Sequence, residues 1–188
     1  MRARLVAGLA VAAMVLPACT VRPLYSSAPI MATGAPVSAD LSSIKIKAPA
    51  TRYGQEVRNH LIFLLNRGQG EPANARYALD LNVSRGQESS AAIQIADKNE
   101  PSSSTITLYA YYVLTEISTG AQIVSGSRQV TASYDVPRQE FANMRAERDA
   151  ENRSGRELAE VVNLALAQAL VNRPQAPPVQ ANALAPVN

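Results

Sequence analysis

The chain holds one cysteine and one histidine, and these two residues bound the chemistry open to it. A lone cysteine, Cys19, excludes an internal disulfide. Cys19 and His60 cannot between them build a Cys/His zinc site, which needs several such ligands. Any serine–histidine triad would have to use His60, and the sequence has no Gly-x-Ser-x-Gly elbow. His60 falls at the edge of a helical apolar stripe, between Tyr53 and Leu64 in projection, where a packed ring is the expected role. Glu147, Asp149 and Glu151 are close in sequence but stand among arginines on a hydrated stretch, a poor setting for paired-carboxylate catalysis. No glycine-rich phosphate loop occurs. Asn82-Val83-Ser84 fits only a glycosylation acceptor. These residues point away from an enzyme and imply no metal or cofactor.

Cys19 is different, because of what precedes it. Arg2 and Arg4 form a basic n-region, Leu5–Leu16 an apolar h-region, and Ala18 a small residue before a cleavage point. That is the layout of an export signal over residues 1–18, too short to be a spanning helix. Two readings of the cysteine compete: a free thiol in an ordinary signal, or the first residue of the mature chain carrying a diacylglycerol on its sulfur. Leu16-Pro17-Ala18-Cys19 resembles the bacterial lipobox, with Pro17 as its departure. Each buried CH₂ of an acyl chain contributes about 0.8 kcal/mol, so two or more chains anchor a protein stably. Thr20 does not match the Asp that marks inner-membrane retention, which implies the outer membrane, facing the periplasm.

Removal of Arg2 and Arg4 changes the charge balance. The 18 Lys and Arg become 16 against 15 Asp and Glu, close to neutral. With no basic run interleaved with aromatics, nucleic acid is not an expected partner. Residues 19–40, rich in Ala, Ser, Pro, Gly and Thr, read as lipid anchor and tether. Residues 171–188, a Pro/Ala-rich tail, lack the composition of a core and are expected to be disordered. Residues 41–170 are left for a single domain.

Within that domain, Leu41, Ile44 and Ile46 suggest a short strand. Tyr53, Val57, Leu61, Leu64 and Leu65 give a helix over 54–67, closed by Gly68 and Gly70. From residue 76 the period is two, with Tyr77, Leu79, Leu81 and Val83 on one face of a strand. Residues 86–103 are mostly polar, with Ile93 and Ile95 alternating, and are open to reading as loop or strand extension. Residues 104–117 form a strong β-branched and aromatic strand. Ser118-Thr119-Gly120 turns it into a further strand over 122–134, and the pair reads as a hairpin.

A long helix follows from about Pro137 to Leu170. Leu158, Val161, Val162, Ala165, Leu166 and Ala169 make its apolar stripe. Projected backwards, that stripe meets Ser154, Glu151 and Glu147, so the half from Arg145 to Arg156 is expected to overhang the sheet. There, Arg145–Asp149, Asp149–Arg153 and Arg153–Glu157 would pair at i,i+4, and Gly155 would mark a bend. This half is either a solvated face or a partner surface. The order β-α-β-β-β-α predicts an α+β fold, two helices on one face of a roughly four-stranded mixed sheet. Tyr109, Tyr111 and Val113 then fall on the opposite face, a candidate binding surface.

Three stretches carry a resemblance to a known family. They are Cys19-Thr20-Val21-Arg22-Pro23-Leu24-Tyr25; Tyr109–Leu114 followed by Ser118-Thr119-Gly120; and Ser133-Tyr134-Asp135 leading to Phe141-Ala142 and the Ala-rich helix ending at Leu170. In this order the chain resembles the alphaproteobacterial form of the LptE family of outer-membrane LPS-assembly lipoproteins, departing from it where Thr20-Val21 replaces a more usual Gly-Phe. The resemblance implies two helices against a four-stranded sheet and a non-enzymatic role. It implies a large outer-membrane β-barrel (LptD-type) as partner, plugged by this protein, and lipopolysaccharide as ligand. Basic residues near strand ends and loops would meet the lipid A phosphates; by type and placement these are Arg85, Lys98 and Arg128. The alternative is an auxiliary lipoprotein of an intermembrane lipid transporter of ABC type.

Overall fold

The computed structural model describes residues 37–92 and 101–172, so Cys19, Ile93, Ile95, Lys98, most of the expected tether and the tail from 173 lie outside the described residues. The elements are α1 (Val37–Leu41), β1 (Ile44–Ile46), α2 (Arg52–Asn66), β2 (Tyr77–Ala92), β3 (Pro101–Glu116), β4 (Gln122–Asp135) and α3 (Glu140–Val171). The expected β-α-β-β-β-α order is present, with one extra helical turn ahead of it. Leu41 closes that turn instead of opening a strand, and both Val37 and Leu41 are buried. Five residues are too few to show a helical period in sequence.

The four strands form one mixed sheet in the order β1-β2-β3-β4. β1 lies parallel to β2, with Ile44 opposite Tyr77; the other neighbours are antiparallel. A parallel pair needs a crossover, and α2 supplies it. Alternation then sorts the side chains. Leu79, Leu81 and Val83 of β2 and Ile106, Leu108, Ala110, Tyr112 and Leu114 of β3 point inward and are buried. The ladder between β2 and β3 runs out to Ala92 opposite Pro101, so the polar stretch extends both strands. Backbone pairing carries it, with the Ser104 hydroxyl donating to the Glu88 carbonyl at 3.1 Å. An apolar alternation was never required there.

Thr51 fixes the start of α2. Its hydroxyl accepts from the Gly54 N–H at 3.2 Å, a cap of the kind worth about 0.5–2 kcal/mol. This places the helix start two residues before the expected one. Val57, Leu61 and Leu65 are buried beneath α2, and Arg67 ends it in the left-handed region at φ 52°. His60 stacks on Phe63 with ring centroids 6.3 Å apart, and its Nε2 lies 3.8 Å from a Glu160 oxygen.

α2 and α3 run parallel on the same face of the sheet. Their polar contacts rise in step: Arg52 with Glu151, Glu56 with Arg156 at 4.0 Å, and His60 near Glu160. Leu158, Val162, Leu166 and Leu170 form the apolar floor of α3, each such side chain contributing about 1.5–3 kcal/mol when fully buried.

The N-terminal half of α3 departs from expectation. Its inward line does not overhang the sheet: Glu151 is 8% exposed and Ser154 fully buried. The Ser154 hydroxyl donates to the Ala150 carbonyl at 2.9 Å, and Glu151 is held by arginines from elsewhere in the fold. Glu151 is buried here because distant arginines satisfy it, and Ser154 because its own helix does. α3 is also one continuous helix through Gly155. That glycine is buried against α2, where a Cβ would stand 3.4 Å from Glu56 Cγ and 3.7 Å from Val57 Cγ2.

Candidate functional site

All three helices leave the opposite face of the sheet open among the described residues. Its central rows follow from the register: Asn82, Tyr111 and Ser127; Ser84, Tyr109 and Gln129; Gly86, Thr107 and Thr131. None carries a charge. Tyr109 is 44% exposed and Tyr111 56%. The ring of Tyr109 lies against Gly86. Thr107 and Thr131 hydroxyls are 3.2 Å apart, as are those of Thr105 and Ser133, so cross-strand hydrogen bonds tie β3 to β4 on this face. Charges appear towards the ends, where Lys47 meets Asp80 at 3.3 Å. Depletion of charge around exposed tyrosines is the composition of an interface core, and each tyrosine offers an apolar ring with a polar tip. The expected placement of Tyr109, Tyr111 and Val113 is therefore observed.

The described basic candidates, Arg85 and Arg128, do not lie on that face. Arg85 and Arg128 both lie on the helix-bearing side, on strands separated by β3. Arg85 is committed to the fold. Its guanidinium donates to Glu151 at 2.6 Å, to Glu147, and to Gln87 at 2.5 Å. Gln87 in turn donates to the Tyr134 hydroxyl at 2.9 Å. Burial opposes the charge on Arg85, but the bond to Glu147 and the carboxylates of Glu151 and Glu147 outweigh it and hold its pKa above the ordinary arginine value. A phosphate would have to displace two carboxylates to reach Arg85. Arg128 is exposed; its Nη1 donates to the Ser127 carbonyl at 2.7 Å, and its guanidinium lies 6.0 Å from the centre of the Tyr112 ring.

Glu151 is the residue that sequence reasoning misplaced. It joins Arg85 of β2 to Arg52 of α2, partners far apart in sequence. Of the three i,i+4 pairs expected on α3, Arg153–Asp149 is formed at 3.0 Å, and Arg153 also donates to the Ser133 carbonyl at 3.1 Å. These groups line an open cleft of about 520 Å³ beside Tyr134 and Val136. No group of three His, Cys, Asp or Glu among the described residues is placed to hold a metal. No described helix is long and apolar enough to cross a membrane.

No protein-family model and no curated protein matches the sequence. Solved structures do. A protein from Caulobacter crescentus CB15 described as a lipoprotein is 27% identical, with a TM-score of 0.60 over 73% of this chain and 97% of that one. The chain shares its fold with that lipoprotein. Rare lipoprotein B from Shewanella oneidensis superposes with a TM-score of 0.50 at 13% identity, over 69% of this chain and 96% of that one. A minor lipoprotein from Acinetobacter baumannii gives 0.50 at 13% identity, over 71% and 94%.

Proposed function

We propose that this chain is a non-enzymatic lipoprotein of the LptE kind, anchored through Cys19 on the periplasmic face of the outer membrane. In this reading it plugs a large β-barrel of LptD type and helps deliver lipopolysaccharide to the outer leaflet. Two independent likenesses coincide in support: the order of the sequence motifs beginning at Cys19, and the fold shared with rare lipoprotein B. The open, uncharged tyrosine face suits a standing partner. Arg128, exposed, and Lys98 are the better candidates for lipid A phosphates, with Arg85 already paired.

Purification of the tagged protein in mild detergent is expected to recover a large β-barrel, and depletion to lower surface lipopolysaccharide. Recovery of no barrel, with surface lipopolysaccharide unchanged, refutes the reading. Labelled palmitate should enter the native chain and not Cys19→Ser; equal labelling of both would remove the anchor.

A further inference from the structure

α2 covers only part of the lane beside α3. At 1.5 Å per residue, α2 is about 22 Å long and α3 about 48 Å. The line of α3 that faces α2 is fixed by Asn152 and Gly155: Asn152 accepts from Arg52 at 2.9 Å, and Gly155 abuts Glu56 and Val57. Followed towards the N-terminus at helical spacing, the same line carries Arg148, Arg145 and Phe141, with Met144 beside it. α2 begins only at Arg52, level with Glu151 and Asn152. Beyond it these side chains face no described element, and Phe141 is 66% exposed and Met144 51%.

The lane has a definite shape and charge. Inward-facing Arg85 and Gln87 of β2 lie on its floor, and the start of α2 closes one end. Arg145 and Arg148 are exposed along its wall, with the Arg145 guanidinium 5.5 Å from the centre of the Phe141 ring. The acidic groups along it are Glu147 and Glu151, both bound by arginine, and exposed Glu140 at the first turn. Large apolar side chains beside exposed arginines fit an apolar stripe with an acidic border.

We propose that this half-lane, open among the described residues, docks an amphipathic helix of a partner protein, its apolar stripe on Phe141 and Met144 and its acidic flank on Arg145 and Arg148. The bound helix would continue the layer that α2 begins. The proposal is independent of the barrel and lipopolysaccharide reading.

A photo-reactive benzoylphenylalanine at position 141 of the full chain in cells tests it, with the same group at Asp149, on another face of α3, as control. The expected result is an adduct at 141 and none at 149. Mass spectrometry should place the cross-link in an amphipathic segment bearing acidic residues. Arg145→Glu with Arg148→Glu should lower the yield about tenfold, the change carried by 1.4 kcal/mol, while Arg145→Lys with Arg148→Lys keeps it. Adducts to lipid or lipopolysaccharide alone, to a basic or strand-forming segment, or no adduct, overturn the proposal. So does a yield that charge reversal leaves unchanged.

Discussion

The two halves of α3 sit on the same sheet and are held to it by different physics. The C-terminal half buries Leu158, Val162, Leu166 and Leu170, and its contribution scales with apolar area. The N-terminal half is fixed by Glu147 and Glu151 meeting Arg85 and Arg52. There the attraction mainly offsets the cost of taking charges out of water. One end of the helix tolerates any side chain of similar volume and apolarity; the other tolerates only complementary replacements.

That contrast can be broken at either end. Arg85→Ala should cost up to about 3–5 kcal/mol, since it leaves Glu147 without a counter-charge and Glu151 with Arg52 alone; urea unfolding measures it. Replacing Arg85, Glu147 and Glu151 together by Met should restore most of the loss, and failure to do so would mean the cluster stabilises by more than mutual neutralisation. The raised pKa of Arg85 sets the pH behaviour. Its contribution is fully present below the unfolded-state value and lost only as pH rises through the folded one. The Arg85→Ala deficit should therefore be unchanged between about pH 7 and 10.

Leu158→Ala in the other half should cost about 2–5 kcal/mol, and no charge substitution should rescue it. Two glycines sharpen the comparison further. A Cβ at Gly126 would stand 2.7 Å from the Tyr112 hydroxyl and 2.9 Å from Cζ, so Gly126→Ala should destabilise by about 1–3 kcal/mol through overpacking. At Gly155, between the two halves, the added methyl meets only ordinary contacts. Gly155→Ala should raise stability by up to about 1 kcal/mol from helix propensity, seen as a higher thermal midpoint.

These differences also mark what the sequence could disclose. Strands and the C-terminal half of α3 were legible because their apolar residues recur at a period of two or 3.6. The N-terminal half was not, since Glu151 is buried against partners elsewhere in the chain and the Ser154 hydroxyl is satisfied by carbonyls of its own helix, neither of which gives an apolar period. Helical spacing finds Asp149–Arg153 and has no view of Arg52–Glu151. The tyrosine face was legible from alternation alone. Arg85 was singled out by type, but only the fold shows that its charge is already answered.

The edge strand β4 carries a consequence for solubility. A strand with one open side invites another strand to add to it, and proteins that must stay dispersed block that edge. Here the Ser127 carbonyl is taken by Arg128 and the Ser133 carbonyl by Arg153. An incoming strand would have to displace both guanidinium groups and bring its own backbone past their charge. The same arginines therefore guard the chain against edge-to-edge polymerisation wherever many copies are crowded together.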